Sequence, residues 1–128
     1  MVKFVVLFKL REGINPDEFW KFWEEIYAPP HMVPGLIKYC INRITRVDEG
    51  ETGYWGMAEE WFENEEAQQA MLKSPKLWQA IEELKRLPEG TFTDRIQDPV
   101  VVWMEEKTIV EDGVLLNQQQ SKTPSINP

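Results

Sequence analysis

The first strand predicted from the sequence carries apolar side chains on both of its faces. Apolar residues occupy every second position from Val2 to Phe8. Val5 and Leu7 fall on the opposite face, and the segment 100–104 repeats this two-sided pattern. The sequence offers only about two helical segments, too few to cover both faces of a sheet of about four strands. We therefore expect the second face to pack against another copy of the same chain.

The order of the predicted elements is βαββαβ, which is the ferredoxin-like pattern of the α+β class. It predicts a four-stranded antiparallel sheet with the helices on one face, and two such sheets facing each other in a dimeric α+β barrel. The predicted strands are 2–9, 36–46, 54–62 and 99–106. We expect residues 1–110 to form this domain and residues 111–128 to form a C-terminal tail packed on a partner.

Capping residues mark where the helices begin. Asn15 is followed by Pro16, and proline at the first helical position loses no hydrogen bond. Asn64 is the capping residue predicted for the second helical region. Ser74 and Pro75 interrupt that region, and a further helical segment begins there.

Composition and charge exclude several classes of partner. The chain has 128 residues, enough for one domain, and a net charge of −8 that repels nucleic acid and anionic lipid. Its N-terminal apolar run is too short for a signal sequence or a membrane span. Cys40 is the single cysteine and His31 the single histidine, so we expect a cytoplasmic protein without a metal or other cofactor.

His31 is the natural candidate for acid–base chemistry because the ordinary pKa of histidine lies near neutrality. It lies in the loop that joins the first helix to the sheet. Tyr27 precedes it by one helical turn and can donate a hydrogen bond into the same pocket. The alternative is that His31 is an exposed loop residue and Tyr27 extends its hydroxyl to water.

Glu59 and Glu60 are consecutive on a predicted strand, so they point to opposite faces of the sheet. Since both faces are covered, at least one carboxylate lies in apolar surroundings. We expect Glu59 to lie in a cavity on the helix side, near Tyr27 or His31, with a raised pKa. The alternative is a salt bridge to Arg43, which would make Glu59 structural.

Six tryptophans offer large aromatic surfaces for a ligand, although cores and dimer interfaces use tryptophan as heavily. The predicted ligand-binding residues are Trp20, Trp23, Trp61 and Arg43.

Three stretches of the sequence resemble the EthD family of dimeric α+β barrel proteins. They are VKFVVLFKLREGINPDEFWKFW at 2–23, YAPPHMVPGLIKY at 27–39 and AEEWFENEEA at 58–67. The resemblance covers about residues 1–106. It implies barrels related to lactone isomerases, polyketide cyclases and monooxygenases that work without a bound metal or flavin on enolisable or aromatic small molecules.

The resemblance also implies roles for particular residues. The histidine of the family's His-x-Pro motif falls on Tyr27, with Ala28 and Pro29 following, so the chain departs from the family at this position. His31 lies four residues later and is expected to replace the missing imidazole in space. The family's acidic position falls on Glu59, the residue already favoured on physical grounds.

Two functions follow from these features. The first is proton transfer by Glu59 with His31 or Tyr27 on an apolar cyclic or aromatic ligand, as in an isomerase, a cyclase or a cofactor-free oxygenase. The second is a non-catalytic dimeric accessory or ligand-binding protein, which a pocket filled by tryptophan side chains would support. Haem binding is less favoured because His31 has no second ligand near it in sequence.

Overall fold

The computed structural model describes residues 1–116, which form one four-stranded sheet, several helices and a short hairpin. The strands of the sheet are β1 (Val2–Leu10), β2 (Leu36–Arg43), β3 (Gly56–Phe62) and β4 (Ile96–Met104). The helices are α1 (Pro16–Phe22), α2 (Glu65–Leu72), α3 (Pro75–Leu84) and the single turn α4 (Phe92–Arg95). The hairpin pairs β5 (Val110–Glu111) with β6 (Val114–Leu115).

The sheet has the strand order β2-β3-β1-β4, and every neighbouring pair is antiparallel. This arrangement confirms the predicted α+β, ferredoxin-like fold. β4 begins three residues before the predicted strand and contains Pro99, which an edge strand tolerates because one of its sides makes no ladder hydrogen bonds. The predicted C-terminal tail begins within the hairpin, and its residues 117–128 lie outside the described part of the chain.

Strand register decides which side chains meet the helices. Phe4 lies opposite Glu60 and Phe8 lies opposite Gly56 across β1 and β3. Since directly paired residues project from the same face, the even-numbered residues of β1 and β3 share one face. Phe8 packs there among residues of α1 and α4, so we call this the helix face and the opposite one the outer face.

The helices begin where the sequence predicts. The Asn15 side chain accepts a hydrogen bond from the Glu18 backbone N–H at 3.0 Å, and Asn64 accepts one from the Ala67 N–H at 2.8 Å. α3 begins at Pro75, although the Ser74 side chain makes no capping hydrogen bond. The two caps satisfy backbone donors that would otherwise have no partner.

α1 continues into a π-helical turn, Trp23–Tyr27, and then into a 3₁₀ turn, Pro29–His31. Two consecutive prolines follow Ala28, and proline cannot donate to a helical hydrogen-bond ladder. The helix therefore ends in a wide π turn followed by a narrow 3₁₀ turn, and these turns place Tyr27 and His31 over the helix face of the sheet. Pi-helical turns of this kind are often found at functional sites.

The core between helices and sheet consists of two groups of buried side chains. The first is aromatic: Phe8 makes edge-to-face contacts with Phe19, Trp23 and Phe92 at 5.1–5.8 Å between ring centroids. The second consists of Phe62, Met71 and Leu77, which join β3 to α2 and α3.

The outer face of β4 leaves large apolar side chains in water. Val100 lies opposite Leu7 and is 37% exposed, and Met104 lies opposite Lys3 and is 45% exposed. No helix within residues 1–116 is long and apolar enough to cross a membrane.

Candidate functional site

A cavity of about 380 Å³ lies between the helix face of the sheet and helices α2 and α3. Its volume lies in the lower part of the range typical of small-molecule sites. The lining is mainly apolar, contributed by Phe4, Val6, Met71, Leu72, Leu77, Trp78 and Ile81. The polar side chains that reach it are Tyr27, His31, Glu60, Gln68, Lys85, Thr91 and Thr93.

Glu60 is the most unusual of these polar residues. It lies on the helix face between Phe4 of β1 and Tyr39 of β2, and only 5% of its surface is exposed. None of the donors in residues 1–116 forms a hydrogen bond with its Oε1 atom. Burial raises the pKa of the Glu60 carboxyl to about 7, because the ionised form loses its hydration without gaining a partner.

His31 lines the same cavity and is also buried. Its Nδ1 atom lies 3.0 Å from the backbone oxygen of Tyr27 and 3.3 Å from that of Ala28. Carbonyl oxygens only accept hydrogen bonds, so we assign the imidazole proton to Nδ1 and leave Nε2 as an acceptor. Burial lowers the pKa of His31, an effect that the two carbonyl contacts partly oppose.

Tyr27 stands between His31 and the aromatic core. Its ring lies 4.7 Å from the His31 ring and stacks on Phe92 at 4.5 Å with an interplanar angle of 13°. Burial, with a smaller contribution from the nearby Glu60 charge, raises the pKa of Tyr27 to about 12. The phenol is therefore a hydrogen-bond donor at neutral pH.

Tyr39 completes the polar cluster and was missed by the sequence analysis. Its hydroxyl accepts a hydrogen bond from the Trp23 indole N–H at 3.2 Å, and its ring lies 5.4 Å from that of His31. Burial raises the pKa of Tyr39, and the Glu60 charge adds to the effect. The sequence does contain a signal for Tyr39. Alternate residues of a strand lie on the same face, so Tyr39 shares the helix face with Ile41 and Arg43.

The predicted location of Glu59 is wrong. Glu59 lies on the outer face, opposite Val5 and Cys40, and does not line the cavity. Its carboxylate contacts Lys3 Nζ at 2.7 Å and accepts a hydrogen bond from Asn42 at 2.8 Å. The predicted alternative partner is also wrong, because Arg43 lies on the helix face and instead pairs with Asp17 at 3.2 Å.

The predicted ligand-binding residues do not reach the cavity either. Trp23 is fully buried in the aromatic core, and Trp20 packs beside it under the guanidinium of Arg43 at 4.8 Å. Trp61 lies on the outer face, where its indole N–H donates to Glu106 at 2.7 Å. These side chains take part in packing and ion contacts. Packing was the alternative role that the sequence analysis gave for the tryptophans.

The cavity is lined by two groups that can take up or release a proton near neutral pH. Glu60 is present in both its protonated and ionised forms at pH 7, and neutral His31 offers an acceptor nitrogen. Within residues 1–116, no group of three His, Cys, Asp or Glu side chains is placed to hold a metal ion.

No protein-family model matches the sequence, and no curated protein matches it significantly. Solved structures match its fold. An EthD family protein from Bacillus halodurans superposes with a TM-score of 0.59 at 16% identity, covering 84% of this chain and all of its own. A dimeric ferredoxin-like protein from Thermobifida fusca gives a TM-score of 0.60 at 16% identity, covering 80% of this chain and 88% of its own.

SnoaB, a cofactor-independent oxygenase from Streptomyces nogalater, gives a TM-score of 0.58 at 17% identity, covering 86% of this chain and 97% of its own. At these identities the similarity is one of fold. The predicted EthD-like, ferredoxin-like architecture is therefore confirmed. The fold is used for small-molecule chemistry in at least one of these proteins.

Proposed function

We propose that the protein binds an apolar cyclic or aromatic small molecule in the cavity between helices and sheet and transfers a proton on it. The observation that carries this proposal is the buried, unpartnered Oε1 atom of Glu60 in the cavity that His31 also lines. A buried carboxyl without a partner costs stability, and such groups concentrate at functional sites.

The two residues divide the proton transfer between them. His31 Nε2 takes a proton from a carbon next to a ligand carbonyl, and the protonated Glu60 carboxyl gives a hydrogen bond to the carbonyl oxygen as the enolate forms. Where the ligand carries a C=C bond in the β,γ position, the enolate is a dienolate, and return of the proton from His31 to the γ-carbon moves the double bond into conjugation with the carbonyl. Both residues then regain their starting states. This chemistry is of the isomerase or cyclase type, and the first step is shared with oxygenases that act on enolised substrates.

The active form is proposed to be a homodimer joined through the outer faces of its sheets. Support comes from the exposed Val100 and Met104 on that face and from the dimeric state of the Thermobifida fusca protein. Apolar surface that stays in water costs about 25 cal/mol for each Å² that a partner could bury.

Deuterium exchange into an enolisable probe tests the proposal without knowledge of the natural substrate. The probe is 2-tetralone, a bicyclic ketone, and NMR in D₂O follows loss of the protons next to its carbonyl. We expect the wild-type protein to accelerate exchange above the buffer rate and Glu60→Gln to lower that acceleration by about 10²-fold or more. Glu59→Gln is the matched control, since it changes the neighbouring carboxylate on the other face, and it should retain the activity.

The same assay distinguishes the alternative of a non-catalytic ligand-binding protein. Binding of 2-tetralone without accelerated exchange would support that alternative and refute proton transfer. The sequence analysis expected such a protein to have a pocket filled by Trp20, Trp23 and Trp61. Within residues 1–116, these three side chains do not line the cavity.

A further inference from the structure

A glutamine is buried in the wall that helix α2 contributes to the cavity. Gln68 lines the cavity and is only 4% exposed. It shares one face of α2 with Met71 and Leu72, which lie one helical turn later and line the same cavity. The amide therefore occupies a position on an otherwise apolar face. A buried amide costs free energy unless its polar atoms find hydrogen-bond partners.

Only one end of this amide has a partner in the protein. Within residues 1–116, the Gln68 side chain makes one hydrogen bond, in which its Oε1 atom accepts from Gln69 Nε2 at 3.1 Å. The accepting atom is the oxygen, so both N–H groups of Gln68 Nε2 are free to donate. Gln69 is an exposed neighbour, and its bond holds the amide without using these donors.

The free nitrogen of Gln68 keeps surface that a ligand can contact. In residues 1–116, the side-chain atoms that lack both a hydrogen-bond partner and accessible surface are Glu60 Oε1 and Thr91 Oγ1. Gln68 Nε2 also lacks a partner but is not one of these atoms, so it remains accessible. Since Gln68 is buried from the outside and lines the cavity, the accessible surface of its amide nitrogen faces the cavity.

Gln68 and Glu60 reach the cavity from opposite walls. Glu60 belongs to β3 in the sheet, whereas Gln68 belongs to α2, which packs on β3 through Met71 and Phe62. Gln68 Nε2 makes no hydrogen bond with Glu60 Oε1, so the two groups act at separate points of the cavity. One ligand satisfies both of them only if its apolar body carries polar atoms at two places.

From this geometry we infer that Gln68 is a specificity-determining residue, whose amide donates a hydrogen bond to a second acceptor oxygen of the ligand, such as a carbonyl. The inference rests on the proposed function for the placement of the first carbonyl at Glu60 and His31. A ligand without the second acceptor displaces water from the cavity and leaves the buried N–H groups without a partner. Such a ligand binds more weakly for that reason.

Matched pairs of probes test this inference by isothermal titration calorimetry. Each pair consists of an acetyl-2-tetralone and the isopropenyl-2-tetralone substituted at the same carbon, and the pairs cover each free carbon of the aromatic ring. The two substituents have the same planar shape, but only the acetyl group accepts a hydrogen bond. We expect the wild-type protein to bind the acetyl compound at least about fivefold more tightly in one or more pairs, the value of one hydrogen bond.

Two variants separate a contact with the ligand from an indirect effect. Gln68→Met keeps the length of the side chain but has no donor, so it should abolish the preference and bind the isopropenyl compounds at least as tightly as the wild type. Gln69→Met is the matched control, since Gln69 does not line the cavity, and it should keep the preference. Gln68→Met should not lower the melting temperature, because the free N–H groups give the folded protein no hydrogen bond.

Equal binding within every pair, binding of none of the compounds, or an acetyl preference that survives Gln68→Met would each overturn the inference. Loss of the preference in Gln69→Met, or a fall of several degrees in the melting temperature of Gln68→Met, would show a structural role for the amide and would also overturn it. Failure of the proposed function has a different signature. In that case the Gln68-dependent preference persists, but the wild-type protein does not accelerate deuterium exchange in 2-tetralone.

Discussion

The Nδ1 atom of His31 lies 3.0 Å from the backbone carbonyl oxygen of Tyr27, four residues earlier in the chain. A second carbonyl, from Ala28, lies 3.3 Å away. Both contacts arise because the π turn at the end of the helix is followed by a 3₁₀ turn through the two prolines, which brings the imidazole within reach of the last carbonyl groups of the helix. The backbone therefore fixes the tautomer, and the ring nitrogen left as an acceptor is Nε2.

The first prediction concerns this tautomer and its titration. We expect ¹⁵N NMR of the neutral imidazole to show the proton on Nδ1, and the pKa of His31 to lie below its ordinary value of 6.5 because burial disfavours the cation. The chain has a single histidine, so the resonances need no assignment by mutation. A pKa above 6.5 or a proton on Nε2 would contradict the site as described.

The second prediction concerns the effect of Glu60 on stability. Its pKa is about 7 in the folded protein and 4.5 without the fold, so ionisation costs folding free energy as pH rises from 4.5 through 7. We expect Glu60→Gln to raise the free energy of unfolding by about 3 kcal/mol at pH 8 and to change it little at pH 4. Urea unfolding at the two pH values measures the difference.

Glu59→Gln provides the matched control for this experiment. Glu59 is paired with Lys3 and Asn42 on the outer face, so removing its charge should lower the free energy of unfolding by about 1 kcal/mol. If Glu60→Gln were destabilising at pH 8, the carboxylate would have a partner and the proposed acid–base role would lose its basis.

The architecture could be predicted from sequence because its signals are local. Asn15 and Asn64 mark helix starts through bonds within three residues, and the alternation of apolar residues marks the strands. Which of Glu59 and Glu60 faces the helices depends instead on strand register. The sequence pattern defines the register only weakly when both faces of a strand are apolar. Lys3 and Lys9 both occupy odd positions of the first strand, and this was the available signal that the odd face is the more polar one.

The rest of the site depends on contacts between distant parts of the chain. Tyr39 meets His31 and Trp23 only after β2 has paired with β3, and Thr91 reaches the cavity from the segment before α4. Neither residue belongs to a local motif that implies chemistry. Burial without a partner, which distinguishes Glu60, is a property of the folded chain alone.

The third prediction concerns the outer face of the sheet. If two copies pack through this face, Val100→Asp should place a charge in the interface and yield a monomer at micromolar concentration in sedimentation velocity. Val101→Asp is the control, because Val101 lies on the same strand but opposite Val6 on the helix face and is 55% exposed. A wild-type protein that sediments as a monomer would refute the proposed dimer.

The last prediction concerns the helix starts, and it compares three capping positions with different hydrogen bonding. Asn15 and Asn64 each accept a bond from a backbone N–H, whereas the Ser74 side chain does not. We expect Asn15→Ala and Asn64→Ala each to lower the free energy of unfolding by about 1 kcal/mol, because a backbone N–H of the first turn then loses its side-chain acceptor. Ser74→Ala should change it by less than about 0.5 kcal/mol, since no bond is lost.

Urea denaturation of the three variants at one pH gives the comparison, with ligand affinity for 2-tetralone measured in parallel. Asn15→Ala should leave that affinity unchanged, as Asn15 does not line the cavity. Equal losses at all three positions would mean that side-chain capping does not distinguish these helix starts.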